Sequence, residues 1–330
     1  MSDRTFYEAV PIPADQVGYL IATAARAPSV HNTQPWRFKV SRYKIELYAD
    51  LRRKLRVDPL GREMLISCGA AVFGLRLGVR SLGYLPVVEL LPDPDRLRLL
   101  ARMRLGPAQP ITAREQEMLK ALPHRHTYRG PFEPGPLPAG LLARLQHDAL
   151  AEGATLAIVD RTIAYEQLAA IISAAGRRQD LDPVARAEVR RWSRGAGSPA
   201  RDGVPAQALP ATAAREPGRL PQRDFDLGRG LGRLAAGGPP PAATAVLLTA
   251  GDGRADWLRA GQALHRLLAH AASRWVFASL HTQPLEAAAI RALIRARLAL
   301  PGAPQMLLQL GPARTTQATA RRPSAELIEP

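Results

Sequence analysis

Apolar positions recur along this chain with two different periods, and the alternation between them outlines the fold. Val17, Leu20, Ile21, Ala24 and Ala25 share one face of a helix predicted from Pro13 to Arg26, with Asp15 in its first turn and Pro28 as its stop. The period then drops to two. Trp36 to Val40 and Lys44 to Tyr48 alternate on either side of Ser41-Arg42-Tyr43, which predicts a β-hairpin. From Pro59 to Leu82 the helical period returns with almost no continuous polar face. Small residues (Ser67, Gly69, Ala70, Gly74, Gly78) interrupt that run, so the helix is expected to be buried on several sides, with another backbone approaching closely. Gly83 suits the cap after it, and Leu85 to Leu91 the next strand.

Pro92-Asp93-Pro94-Asp95 reads as a turn opening a second block, with a helix near Ala113–Ala121 and no element assigned between. Further helices are predicted at Ala139–His147, Thr162–Ala175, Pro183–Trp192, Ala255–Ser273 and Pro284–Leu298. Strands are predicted at Ala154–Val159, Ala243–Thr249, Val276–Ser279 and Gln305–Leu310. Ser193 to Leu220, rich in Gly, Ala, Pro and Arg, carries little periodicity; it is either a plain loop or a lid over a ligand site. Helices mixed with strands give an α+β or α/β class. A long helix followed by a strand occurs once in each half, at Pro59–Leu91 and Ala255–Leu280, a weak sign of internal duplication.

Composition narrows the class. Apolar residues make up 46% of 330, enough for a sizeable core, and 26 glycines with 30 prolines fall short of a low-complexity chain. The formal net charge is +16. Only Lys39, Lys44, Lys54 and Lys120 are lysines; the other basic residues are arginines scattered among Ala and Pro, with 5% aromatics and no basic stripe. That pattern argues against nucleic acid and favours a small anionic ligand, which a guanidinium matches bidentately. One cysteine, Cys68, excludes an intrachain disulfide, and on an apolar helix it reads as a small buried hydrophobe. The polar N-terminus lacks a signal core, and no apolar run reaches the length of a membrane span, so a cytoplasmic protein without a membrane partner is expected. His124/His126 and His265/His270 lack metal-ligand spacing, so no metal is expected. Gly228-Arg229-Gly230-Leu231-Gly232 follows no clear strand and is discounted as a dinucleotide loop.

Two segments carry candidate chemistry. Ala27-Pro28-Ser29-Val30-His31-Asn32-Thr33-Gln34-Pro35-Trp36 is either a capped turn anchored by Trp36 or a loop presenting Ser and Asn to a planar heterocycle. Arg125-x-Thr127-x-Arg129 is either a solvated basic turn or a phosphate clamp, with two guanidinium groups and a hydroxyl on one side of an extended segment.

The first segment resembles the Ala-Pro-Ser-x-x-Asn-x-Gln-Pro-Trp signature of nitroreductase-like flavoproteins. Asp58-Pro59, Arg62-Glu63, Ile66 to Ala71, Asp256 to Leu264, Gln283 to Glu286, Pro304 to Leu308 and Arg321-Arg322-Pro323 follow the same pattern in order, across roughly residues 10–325. Together they are similar to the Acg subfamily, in which two nitroreductase halves are fused. The resemblance implies an α+β nitroreductase-like fold, two fused halves forming a pseudo-dimer in one chain. The first half would span 1–120 with the flavin-ring loop 27–36. The second would span 121–330 with the clamp 125–129, the candidate lid 193–220 and the C-terminal tail 311–330. The helix from Pro59 to Leu82 is expected to pack between them, and a monomer mimicking a homodimer is expected.

The resemblance also implies FMN as cofactor, with Pro28, Ser29 and Asn32 meeting its ring and Arg125 and Thr127 holding its phosphate. Arg129 would lie near the N1/O2 edge, Arg321 would join the phosphate site, and Leu280, His281 and Thr282 would border the opposite edge. No side chain is assigned as catalytic, because the chemistry would occur at flavin N5. Three departures mark this chain: Trp275 where the subfamily usually has Gly, Leu280 where it has Pro, and Thr319 where nitroreductases often have Lys. Two functions follow. One is an oxidoreductase passing hydride from NADPH or NADH, a transient reductant, through FMN to a small electron acceptor such as a nitroaromatic or quinone. The other is an FMN-sequestering protein with a lid over the flavin and little reductase activity.

Overall fold

A computed structural model of the chain describes residues 10–159, 163–209, 220, 222–232, 239–314 and 319–329. In chain order the first elements are α1 (Val17–Ala25), β1 (Trp36–Ser41), β2 (Lys44–Ala49), α2 (Arg62–Ser81), β3 (Tyr84–Leu90), β4 (Leu99–Ala108) and α3 (Ala113–Ala121). There follow α4 (Leu141–Ala151), β5 (Ala154–Val159), α5 (Ile163–Asp180), α6 (Pro183–Trp192), β6 (Ser193–Arg194) and β7 (Val204–Pro205). The last third holds β8 (Ala243–Thr249), α7 (Arg254–Ala272), β9 (Val276–His281), α8 (Ala288–Arg297), β10 (Ala303–Pro312) and α9 (Ser324–Leu327). The expected α+β class is the one observed.

Two four-stranded antiparallel sheets divide the chain, one in the order β1-β2-β4-β3 and the other β5-β8-β10-β9. The first pair forms the expected hairpin, with Trp36 opposite Ala49 and Ser41 opposite Lys44. Strand β4, which falls where the sequence pattern assigns no element, is the inner strand that joins β2 to β3. Its Leu99, Ala101, Met103 and Leu105 are buried while Arg102 and Arg104 point outward, so the period of two is present.

Helices α2 and α7 cross at the centre, and glycine makes the crossing possible. A Cβ added at Gly69 would lie 2.1 Å from the Leu258 carbonyl oxygen, and one at Gly261 would lie 2.0 Å from that of Ile66. The helices therefore touch backbone to backbone, the close approach expected from the small residues of α2. One hydrophobic core runs through both helices and both sheets. Helix α2 is long and apolar enough to cross a membrane, yet 89% of its apolar window is buried inside the protein.

Two crossings stitch the chain together. The clamp segment runs parallel to β9, with Thr127 bridged to Ala278 and Tyr128 N–H donating to the Ala278 carbonyl at 2.8 Å. The C-terminal tail leaves the second sheet and docks on the edge of the first, where Ile328 bridges Phe38 and Glu329 N–H donates to the Phe38 carbonyl at 2.7 Å.

Candidate functional site

The loop after α1 takes its shape from three consecutive demands of its own sequence. His31, Asn32 and Gln34 all have positive φ (49°, 55° and 51°), a region in which Asn and His are enriched among non-glycine residues. Ser29 Oγ accepts the Gln34 N–H at 3.0 Å, and Asn32 N–H returns to the Ser29 carbonyl at 3.0 Å. Trp36 anchors the far end in the core with no exposed surface. Ser67 of α2 accepts the Val30 N–H at 3.3 Å and fixes the loop against the central helix.

The clamp segment is extended, so its side chains alternate. His126 and Tyr128 turn into an aromatic cluster with Phe277 and Phe132. Arg125, Thr127 and Arg129 turn the other way, into a small cavity that Pro28, Ser29, Asn32 and Arg321 also line. This cavity shares Pro28, Ser29, Thr127 and Arg129 with a larger one, whose walls include Leu280, His281 and Thr282. All ten residues named from the sequence thus border two adjoining cavities.

The electrostatics of the smaller chamber are lopsided. Arg125 is buried, donates one bond to the Arg26 carbonyl (3.1 Å), and leaves Nε and Nη1 without a partner. Burial, reinforced by nearby Arg26, depresses its pKa to about 10. Arg129 is likewise lowered to about 10 by burial and Arg223, and Arg321 to about 9 by burial, Arg125 and Arg26. Among the described residues none of these three cations has a carboxylate within ion-pair distance. Buried cations without counter-charge are unfavourable, so the chamber is built for an anion. The unused Arg125 donors beside the Thr127 hydroxyl fit a phosphate. Arg321 plays a second part: its guanidinium donates to the carbonyls of Ala25 (2.9 Å) and Ala27 (3.3 Å) and to Asn32 Oδ1 (3.1 Å), tying the tail to the loop.

Several lining residues carry no signal in the sequence. Segment 193–209 packs on the loop, where Asn32 Nδ2 donates to the Gly203 carbonyl (3.1 Å) and Gln34 Nε2 to that of Arg201 (2.8 Å). Arg53 reaches Asp202 at 2.9 Å. Of the candidate lid 193–220, residues 210–219 lie outside the described residues. Beyond it, Phe225 makes an edge contact with His31 (5.2 Å between centroids) and lies under the Arg129 guanidinium at 5.1 Å. Arg223 pairs with Glu286. Nothing in the composition of 222–225 points to a wall residue; only an Arg followed by an aromatic in a weakly periodic stretch could hint at it.

The departures have physical counterparts. Trp275 holds a φ of 55°, a conformation in which glycine is free of strain, and its ring stacks on His124 at 5.3 Å. Leu280 keeps its place as pocket wall. Gly228 and Gly230 form a loop wrapped on the Asp226 carboxylate, which accepts the Gly230 N–H at 2.9 Å. Cys68 is buried, with burial raising its thiol pKa. Among the described residues no His, Cys, Asp and Glu cluster could hold a metal.

The chain is similar to proteins of one family. The model of the nitroreductase family matches residues 1–60. A Mycobacterium tuberculosis H37Rv protein named "Putative NAD(P)H nitroreductase Rv3131" is 34% identical over 96% of this chain and 92% of its own length. From the same organism, "Putative NAD(P)H nitroreductase acg" is 29% identical over 96% of each chain, and "Uncharacterized protein Rv3127" is 29% identical over 94% of this chain and 91% of its own. A crystal structure of a nitroreductase with bound FMN from Desulfitobacterium hafniense DCB-2 covers 62% of this chain and 94% of its own, at 15% identity and a TM-score of 0.37, a likeness too slight to build on.

Proposed function

This chain belongs to the nitroreductase family, and on that premise we propose that it is an FMN-dependent oxidoreductase using NADPH or NADH to reduce a small electron acceptor such as a nitroaromatic or quinone. The observation that carries the reading is the group of cations without counter-charge (Arg125, Arg129, Arg321) around the smaller of two adjoining cavities, whose shared walls include the loop residues Pro28 and Ser29. Arg125 and Thr127 would hold the phosphate, with Arg321 supporting that chamber while fixing the loop. Pro28, Ser29 and Asn32 would meet the ring, and Leu280, His281 and Thr282 its far edge. When bound, the flavin supplies hydride acceptance and donation at N5.

The protein's own work is binding, orientation and exclusion of water. Charge-assisted contacts of about 1.5–3 kcal/mol each would anchor the phosphate. Arg129 would keep positive charge beside the ring, where reduction adds negative charge. In this reading the halves 1–120 and 121–330 act as the two partners of a dimer within one chain, the first giving the ring loop and the second the clamp.

A second reading has specific support. Asn32 and Gln34 bond to Arg201–Gly203, and Phe225 packs against His31 and Arg129, contacts that support a cover over the ring. A covered ring would be sequestered rather than turned over. Anaerobic titration of the FMN-loaded chain with NADPH and NADH separates the two. Bleaching of the visible flavin band at a useful rate supports the reductase. A band that stays oxidised with flavin bound supports sequestration, and a preparation that retains no FMN sinks both.

A further inference from the structure

The larger chamber contains a buried acid that neither the phosphate clamp nor the ring loop uses. Glu63 stands in the first turn of α2, is 4% exposed and lines the larger cavity on the same helix as Ile66 and Ser67. Neither carboxyl oxygen has a hydrogen-bond partner. Its nearest cation, Arg62, approaches only to 3.7 Å, because that guanidinium is occupied by Gln305 Oε1 (3.0 Å) and the Gln305 carbonyl (2.5 Å). A buried carboxyl without partners is costly, and such groups are retained where something else completes them.

The surroundings fix the form of that group. Charged neighbours reach Glu63 from each side: Asp58 and Arg62 from its own segment, Glu286 from the turn after β9, and Arg223 from the 222–232 wall. Glu286 already holds Arg223 and accepts from Gln179 Nε2 at 2.5 Å. Burial first, and the Glu286 charge second, push the Glu63 pKa well above the ordinary carboxyl value. A neutral carboxyl offers one donor and one free acceptor.

We propose that the Glu63 carboxyl is the specificity-determining contact for the substrate ring that shares this chamber, hydrogen-bonding a neutral carboxamide, carbonyl or nitro oxygen on it. A carboxamide satisfies both of its oxygens at once: the acid O–H donates to the amide oxygen and the amide N–H donates to the acid carbonyl. A ring without a polar group in that place leaves both oxygens without a partner. The ring's identity as a partner of bound flavin rests on the proposed flavin function, whereas the protonation of Glu63 does not.

The test uses two variants and two probes. Glu63→Gln keeps the shape with one donor and one acceptor; Glu63→Leu removes both. An infrared difference spectrum of wild type minus Glu63→Gln at neutral pH, recorded with or without flavin, is expected to contain the carbonyl band of a protonated carboxyl. In the FMN-loaded chain, nicotinamide is expected to bind about five- to tenfold more tightly than pyridine, which lacks the carboxamide. Glu63→Leu should weaken nicotinamide by about five- to tenfold, the loss of one or two neutral hydrogen bonds. Glu63→Gln should stay within about threefold, the amide having exchanged one neutral pair for another. FMN retention should be unchanged in both. A missing carboxyl band overturns the proposal, as does pyridine bound as well as nicotinamide or an unchanged affinity in Glu63→Leu. Should Glu63→Leu fail to fold, the band and the probe pair decide alone. Loss of FMN from wild type would instead count against the flavin reading and leave the infrared result standing.

Discussion

Arg125 carries the sharpest energetic statement in the molecule. Its folded pKa of about 10 lies below the ordinary guanidinium value, so the charged form is disfavoured by folding. For a base shifted in that direction the cost is present in full below the folded value and disappears only at strongly alkaline pH. At neutral pH the ligand-free protein bears that cost, and a bound phosphate offsets it. Arg125→Met should therefore raise the melting temperature of the flavin-free protein while weakening FMN by about 10- to 100-fold, equivalent to one charge-assisted contact. Thermal melts and a flavin-fluorescence titration check both, and unchanged affinity would remove Arg125 from the clamp. His265 makes the complementary case on the acid side. Its ring is fully buried, Nδ1 meets the Ala70 carbonyl at 2.7 Å, and burial lowers its pKa to about 3. The unfolded chain binds that proton at an ordinary histidine pKa, so stability is complete above pH about 6.5 and is lost as pH falls towards the folded value. His265→Gln, which can still donate to Ala70, should flatten the pH dependence of unfolding by up to about 1.4 kcal/mol per pH unit between those limits. Urea melts at stepped pH measure that slope, and a slope equal to wild type would place the acid sensitivity elsewhere, His126 (pKa about 4) being the next candidate.

At the scale of elements, the crossing of α2 and α7 is the most exacting contact. Gly69→Ala or Gly261→Ala would place a methyl 2.1 or 2.0 Å from a carbonyl oxygen on the facing helix, and neither backbone can yield without separating the helices. Overpacking typically costs about 1–3 kcal/mol, and a clash against backbone belongs at or above the upper end. Either change is expected to lower the urea midpoint severely, whereas Gly83→Ala, with nothing near its Cβ, should cost only the strain of its φ of 83°. The close approach at Gly69 was legible because a helix apolar all round must bury every face, and its small residues let a neighbouring backbone reach one of them. Strand β4 was not, although Leu99, Ala101, Met103 and Leu105 alternate with Arg102 and Arg104. Its signal sits between a Pro-Asp turn and a Thr-capped helix, and the extra leucine at Leu100 blurs the period where the pairing with β2 shifts register. The loop and the clamp were legible by resemblance, because their residue types are dictated locally, by left-handed turns and by an extended Arg-x-Thr-x-Arg. Phe225 and Arg223 were not, because each enters the hollow from a segment whose own pattern is silent about what lies opposite, and Glu63, though part of the family pattern, carries no sign of facing a cavity.

On the whole-molecule scale the hollow is assembled from segments far apart in the chain. Its floor loop comes from the segment between α1 and β1, its clamp from the edge of β9, and its seal from a tail that crosses back to β1. Arg321 binds that assembly, reaching Ala25, Ala27 and Asn32 from the last residues of the chain. The core is continuous through α2 and α7 and takes in residues of both sheets. If one chain builds a complete site, flavin affinity should not change with protein concentration, since no second copy is required. A dissociation constant that weakens on dilution would point to a site shared between chains. Truncation before the tail, at residue 314, should release FMN by removing Arg321 while leaving both sheets folded, visible as lost yellow colour with a retained far-ultraviolet dichroism spectrum. The Arg321→Ala variant separates the tail's two contributions. It removes the cation but keeps the docking of Ile328 and Glu329 on Phe38, so FMN binding lost there as fully as in the truncation would assign the tail's effect to that single guanidinium. Binding retained in Arg321→Ala but lost in the truncation would instead make the tail a structural clasp, with phosphate recognition resting on Arg125, Thr127 and Arg129.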